Sequence, residues 1–143
     1  QIPRGDLVIE DRTIVPETVR EFEEQCRNMG MTYLVAVLLD SDNRPWGLQE
    51  TFHHPSRNWI EQNLVGVHKK LRGKGLGKWI IGASLVKLQE VFPDAKGAAN
   101  YIYKSNTPMI KIATQMGASI ERESIVIKNS LKELEQCLLK GKD

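Results

Sequence analysis

Residues 72–77 read Arg72-Gly73-Lys74-Gly75-Leu76-Gly77, and Lys69, Lys70 and Lys78 flank them. Glycine lets a backbone turn sharply and approach a ligand with no Cβ in the way. A helix that starts at such a turn leaves its first N–H groups unpaired, and its dipole favours an anion there. The flanking lysines add positive potential. The chemistry implied is the holding of phosphate. Two familiar phosphate loops do not fit. The P-loop pattern places a glycine ahead of a Gly-Lys pair that Ser or Thr follows. Here Arg72 stands where that first glycine belongs, and Trp79 follows Gly77-Lys78. The dinucleotide pattern Gly-x-Gly-x-x-Gly also fails, because Lys78 or Ile80 occupies its last position.

The cluster of positive charge is local. The chain of 143 residues carries 20 Lys and Arg against 18 Asp and Glu, a formal net charge of +2. That balance is too small to argue for nucleic acid as a partner by itself, and none is expected. A nucleic-acid site would also need aromatic residues among the basic ones, and only Trp79 is near. No apolar run is long enough to cross a membrane, and no signal-peptide pattern opens the chain. Opening on Gln1 rather than Met reads as a piece cut from a longer protein. Cys26 and Cys137 lie far apart on the apolar stripes of predicted helices, as buried free thiols in a reducing cytoplasm do. The adjacent His53 and His54 have no carboxylate or cysteine at ligand spacing, so no metal is expected.

The elements that must position the loop follow from local pattern. Leu7 to Glu10 reads as a short strand. Pro16 suits the first turn of a helix, Val19, Phe22, Cys26 and Met29 follow at helical spacing, and Gly30 stops it. Thr32 to Leu39 is a buried strand, Asp40 to Pro45 a turn, and Trp46 to Phe52 the second arm of a hairpin. Glu61 to Lys69 is the strand that enters the glycine loop. Leu76 to Phe92 is a helix apolar nearly all round, as a helix packed on several sides is. Ala95 to Tyr103 reads as a strand, and Asn106 or Thr107 caps a short helix that Gly117 closes. Ser119 to Lys128 alternates as a half-buried strand does. Ser130 and Glu133 form a capping pair, opening a last helix within residues 129–143 with Leu131, Leu134 and Leu138 on one face. The expected fold is one α/β domain over 1–143, with a mixed, mostly antiparallel central sheet and helices on both faces.

Arg72, Gly75 and Gly77 match the spacing Arg-x-x-Gly-x-Gly, which resembles the pyrophosphate-binding motif of the GNAT family of N-acetyltransferases. Ser105-Asn106-Thr107-Pro108-Met109 followed by Gln115-Met116-Gly117 is similar to a second segment of that family. The resemblance runs from about Thr32 to Lys128. Glu61-Gln62-Asn63 and Val65-x-Val67 ahead of the loop look like the second copy in tandem, mycothiol-synthase-like members. The resemblance implies acetyl-CoA as co-substrate and a small-molecule or peptide amine as acceptor, with a partner GNAT domain or a homodimer as an option. It assigns the pyrophosphate to Arg72, Gly73, Lys74, Gly75, Leu76, Gly77 and Lys78. It assigns the pantetheine arm to the backbone of Val65 and Val67, with Asn106 near its sulfur end. Glu50 leads the candidates for the base that deprotonates the amine, ahead of Glu61, His53 and His54. The family's proton-donating tyrosine is Ala113 here, and Tyr103, or else Tyr101, is the available substitute. An aromatic residue expected after Gly117 is Ala118. These departures keep a second reading open, a non-catalytic half that binds acyl-CoA.

Overall fold

The computed structural model describes residues 14–125 and 130–140. Helix α1 spans Pro16–Asn28 and ends on Gly30, whose φ of 67° a side chain would strain. The sheet has four strands: β1 (Thr32–Leu39), β2 (Pro45–His53), β3 (Trp59–Val67) and β4 (Gly97–Asn100), in that spatial order. The first three form an antiparallel meander, and β4 joins β3 in parallel. Helix α2 (Leu76–Val91) supplies the crossover between them, and α3 (Thr107–Gln115) and α4 (Leu131–Lys140) follow. A 3-10 turn over Lys69–Leu71 lies between β3 and α2.

The β1–β2 turn is built on one carboxylate. Asp40 Oδ1 accepts the N–H groups of Asp42 and Arg44, each at 2.9 Å, and Oδ2 accepts the Trp46 indole N–H at 2.7 Å. These bonds favour the charged form and hold the Asp40 carboxyl below its usual range.

Side chains alternate along a strand, so neighbours on β2 report the two faces. Phe52 meets Phe22 of α1 at 5.8 Å between ring centroids and stacks on Tyr33 at 5.0 Å. His53 stacks on Phe92, at the end of α2, at 4.0 Å. Helices α1 and α2 therefore lie on opposite faces, as the patterning requires. Under α2 the buried set is Ile60, Ile80, Ile81 and Leu88. Each such side chain contributes about 1.5–3 kcal/mol on burial. The same layer encloses polar residues, Gln49, Thr51, Gln62 and Ser84.

Several expectations need correction. Leu7 to Glu10 lies outside the described residues. The strand entering the loop starts two positions earlier than expected, at Trp59, and stops at Val67 because His68 caps the 3-10 turn. The strand expected over Ala95 to Tyr103 shrinks to Gly97–Asn100. No strand forms over Ser119 to Ile125, where every residue is exposed, and 126–128 lie outside the described residues. The alternation there breaks: Ile120 and Ile125 fall on opposite faces, separated by Glu121-Arg122-Glu123-Ser124. Helix α2 packs on one side only, leaving Trp79 61% and Val86 65% exposed. The Ser130–Glu133 capping pair forms as expected. Leu131, at the start of the helix, is exposed.

Candidate functional site

The glycine loop joins β3 to α2, and β3 decides what reaches it. Strand β3 pairs with β2 over its whole length but with β4 only from Trp59↔Gly97 to Gln62↔Asn100. From Leu64 onward the β4 side of β3 has no partner strand among the described residues. Two features open this gap. Asn63 is skipped in the pairing, since Glu50 faces Leu64 and Thr51 faces Gln62. Such a bulge bends its strand. On the other side, the chain leaves the sheet after Asn100.

The open edge has a definite polarity. His68 donates its N–H to the Trp46 carbonyl at 2.7 Å. Alternation in an antiparallel ladder then turns the backbone groups of Gly66 and Leu64 toward β2 and those of Val65 and Val67 toward the gap. Arg72 agrees with this, because its Nε donates to the Val67 carbonyl at 3.1 Å across that edge. The loop's first residue is thus tied to the last of the strand.

Beyond Arg72 the chain takes two left-handed steps, Gly73 at φ 77° and Gly75 at φ 78°. Space is not the reason for glycine at either position, as a Cβ there meets nothing within 4 Å. The backbone conformation is the reason, and it aims the chain into α2. Gly75 is the N-cap of α2, and no side chain caps the helix. Its first-turn N–H groups, from Leu76 onward, therefore have no capping side chain. Lys69, Lys70, Lys74 and Lys78 are exposed, and no ion pair among the described residues involves them. A Cβ on Gly77 would meet Ile112 Cδ1 at 3.6 Å, so α3 lies against the first turn of α2. Unpaired donors, a helix start and uncompensated cations form a cradle for a pyrophosphate.

Asn106 is the N-cap of α3, its Oδ1 accepting from Met109 N at 3.4 Å. Tyr103 sits on the connection from β4 to α3 and is 44% exposed. Glu50 lies on β2 beside the bulge and accepts from Asn63 Nδ2 at 3.0 Å. Burial, and then the nearby Glu50 carboxylate, push the Tyr33 hydroxyl well above its usual range. The other base candidates are engaged elsewhere. Glu61 pairs with Arg57 at 2.7 Å, His53 stacks under α2, and His54 Nδ1 accepts from Ser56 N at 3.1 Å. No cluster of three His, Cys, Asp or Glu among the described residues could hold a metal.

No family model matches the chain, and no curated protein does. Solved structures do match. A tandem GNAT protein from the clavulanic acid biosynthesis pathway superimposes with a TM-score of 0.66 at 20% identity, over 71% of this chain and 32% of that one. This chain thus spans about a third of that tandem protein. An acetyltransferase of Trypanosoma brucei gives 0.59 at 15% identity, covering 82% of each chain. An aminoglycoside acetyltransferase from an uncultured soil metagenomic sample gives 0.61 at 15%, covering 88% of this chain and 78% of that one. The chain has the GNAT fold. Within a GNAT fold, the edge of β3 and the glycine turn are one continuous strip, and every loop residue singled out from the sequence lies on it.

Sequence reasoning did not place Tyr33 or Asn63 beside Glu50. Asn63 looks like an ordinary strand residue until the bulge is seen. Tyr33 lies seventeen positions before Glu50 in the numbering, and only the β1–β2 register brings them together. Cys26 is buried and free; burial, then Glu23, pushes its thiol up. The side chain of Cys137 lies outside the described residues.

Proposed function

We propose that the chain transfers an acetyl group from acetyl-CoA to a primary amine by direct attack in a ternary complex. One observation carries this reading. The outward backbone groups of Val65 and Val67 run directly into the left-handed glycine turn and the uncapped start of α2. A pantetheine amide chain needs the first, and a pyrophosphate needs the second. Arg72, Gly73, Lys74, Gly75, Leu76, Gly77 and Lys78 hold the pyrophosphate, Val65 and Val67 pair with the pantetheine, and Asn106 lies near its sulfur end. Glu50 takes the proton of the attacking amine, directly or through a water. The amine nitrogen bonds to the carbonyl carbon, the carbon–sulfur bond breaks, and the thiolate is protonated by Tyr103 or by solvent. A backbone N–H near Val67 polarises the carbonyl oxygen.

Calorimetry tests this. Wild type binds acetyl-CoA with measurable heat at about 1 mM, the upper end of ordinary KM values. Gly75→Glu abolishes the heat, because it places a carboxylate and a strained φ at the phosphate site. A Cβ there meets nothing within 4 Å, so the loss comes from charge and backbone strain at the loop rather than from a packing clash. Wild type without heat would end the reading.

A second reading, a non-catalytic acyl-CoA-binding half, is favoured by Ala113, which stands where the family's proton donor is expected. It is distinguished by tight acetyl-CoA binding with no thiol release in the presence of any amine.

A further inference from the structure

A cavity of about 230 Å³ opens on the α1 face of the sheet. Phe22, Met29, Met31 and Phe52 form its apolar walls. Its polar part is the bulge, with Glu61, Gln62 and Asn63, and Tyr101 stands at the rim. The position is informative. Gln62 is the last β3 residue paired with β4, Asn63 is the bulged residue, and Tyr101 is the first residue after β4. The cavity therefore opens at the apex where the two strands part, on the side opposite α2.

Its charge is one-sided. Glu61 lines it, and Glu50 is bound to Asn63, which also lines it. No Lys or Arg is among the lining residues. The neighbouring Arg57 is held by Glu61 at 2.7 Å. With Arg57 offsetting Glu61, and Glu50 behind Asn63, one negative charge remains beside the phenylalanine and methionine walls, which suits one ammonium group on an apolar body. Such walls leave hydroxyls and additional ammonium groups without partners, which costs affinity. The volume is below the roughly 300 Å³ at which pockets for drug-sized ligands begin, so the occupant is small.

We propose that this cavity is the acceptor site and that it takes a small primary amine on an apolar, ring-bearing body. The proposal rests on the acetyl-CoA reading, which places the thioester in the gap that the cavity meets. It excludes polyamines and aminoglycosides as preferred acceptors.

The test uses 2-phenylethylamine against spermidine, with binding and turnover read separately. The Met31 methyl resonance shifts on titration of the wild-type chain with 2-phenylethylamine and not with spermidine. With acetyl-CoA present, kcat/KM for 2-phenylethylamine exceeds that for spermidine by about tenfold or more, the scale on which apolar pockets discriminate. Met31→Trp fills the cavity and raises KM for 2-phenylethylamine by about tenfold, with the acetyl-CoA affinity unchanged. An unshifted Met31 methyl, a preference for spermidine, or an unchanged KM in Met31→Trp overturns the assignment. Absence of acetyl-CoA binding overturns the parent reading instead, and the methyl titration still reports on the cavity by itself.

Discussion

Glu50 illustrates how little a residue type says before its neighbours are known. As one of 18 acidic residues it has no distinction. In the fold it sits beside Asn63, which donates to it, and near Tyr33 of an aromatic cluster. Asn63 holds the carboxylate beside the bulge. Glu50→Gln is expected to lower kcat by about 10²-fold, the lower end for loss of a general base, with acetyl-CoA affinity unchanged. Calorimetry and single-turnover measurements separate the two effects. Cys26 gives a prediction independent of catalysis. It is 2% exposed and its thiol is pushed up, so it reacts with thiol reagents at pH 8 at the rate of unfolding rather than of an open thiol. Tyr33 is pushed up as well. Both groups keep their protons in the folded state when the unfolded chain has lost them. Their contribution to stability is complete below their ordinary values and declines as pH rises past them. Urea midpoints measured at pH 8 and at pH 10.5 are expected to fall with pH.

At the scale of elements, the antiparallel hairpin was legible and the parallel edge was not. β1 is an apolar run that a turn-rich segment joins to β2, and the Asp40 bonds explain why that turn is tight. Protonating Asp40 removes the charged acceptor. The turn's contribution is therefore present above the ordinary carboxylate range and lost as pH falls through the lowered value. Trp46, bonded to Asp40, is expected to change its fluorescence in that acid range, and Asp40→Asn is expected to abolish the change. β4 was overextended because Tyr101, Ile102 and Tyr103 carry strand-like character, whereas pairing stops where the chain turns away after Asn100. Ser119 to Ile125 misled through isolated isoleucines that do not share a face. The glycine loop was readable because its reason is local, two positive φ angles and a helix start. The bulge at Asn63 depends on register between strands and leaves no mark in the sequence. Gly97 is a tight element contact: a Cβ there would lie 2.7 Å from the Trp59 ring. Gly97→Val is expected to destabilise the chain by about 1–3 kcal/mol, as overpacking does, measurable by urea denaturation.

Across the whole molecule, charge is nearly balanced while the loop end is basic. Screening should therefore act on coenzyme binding more than on the fold. Raising salt from about 50 mM to about 500 mM is expected to weaken acetyl-CoA binding several-fold and leave thermal stability nearly unchanged. Among the described residues no helix is long and apolar enough to cross a membrane. The three solved structures compared above are 15% to 20% identical to it, so the likeness lies in shape more than in sequence. One feature of that shape gives the molecule a signature in time. Strand β3 keeps its full ladder with β2 while its far edge is open beyond Gln62. Amide protons on this single strand then fall into two alternating populations. Those of Leu64 and Gly66, locked into the ladder, exchange with deuterium only when the sheet opens. Those of Val65 and Val67, a residue away, exchange at nearly the rate of an unstructured peptide. Acetyl-CoA would slow the second population and leave the first unaltered, so that the strand changes from an alternating to a uniform pattern when its missing neighbour arrives.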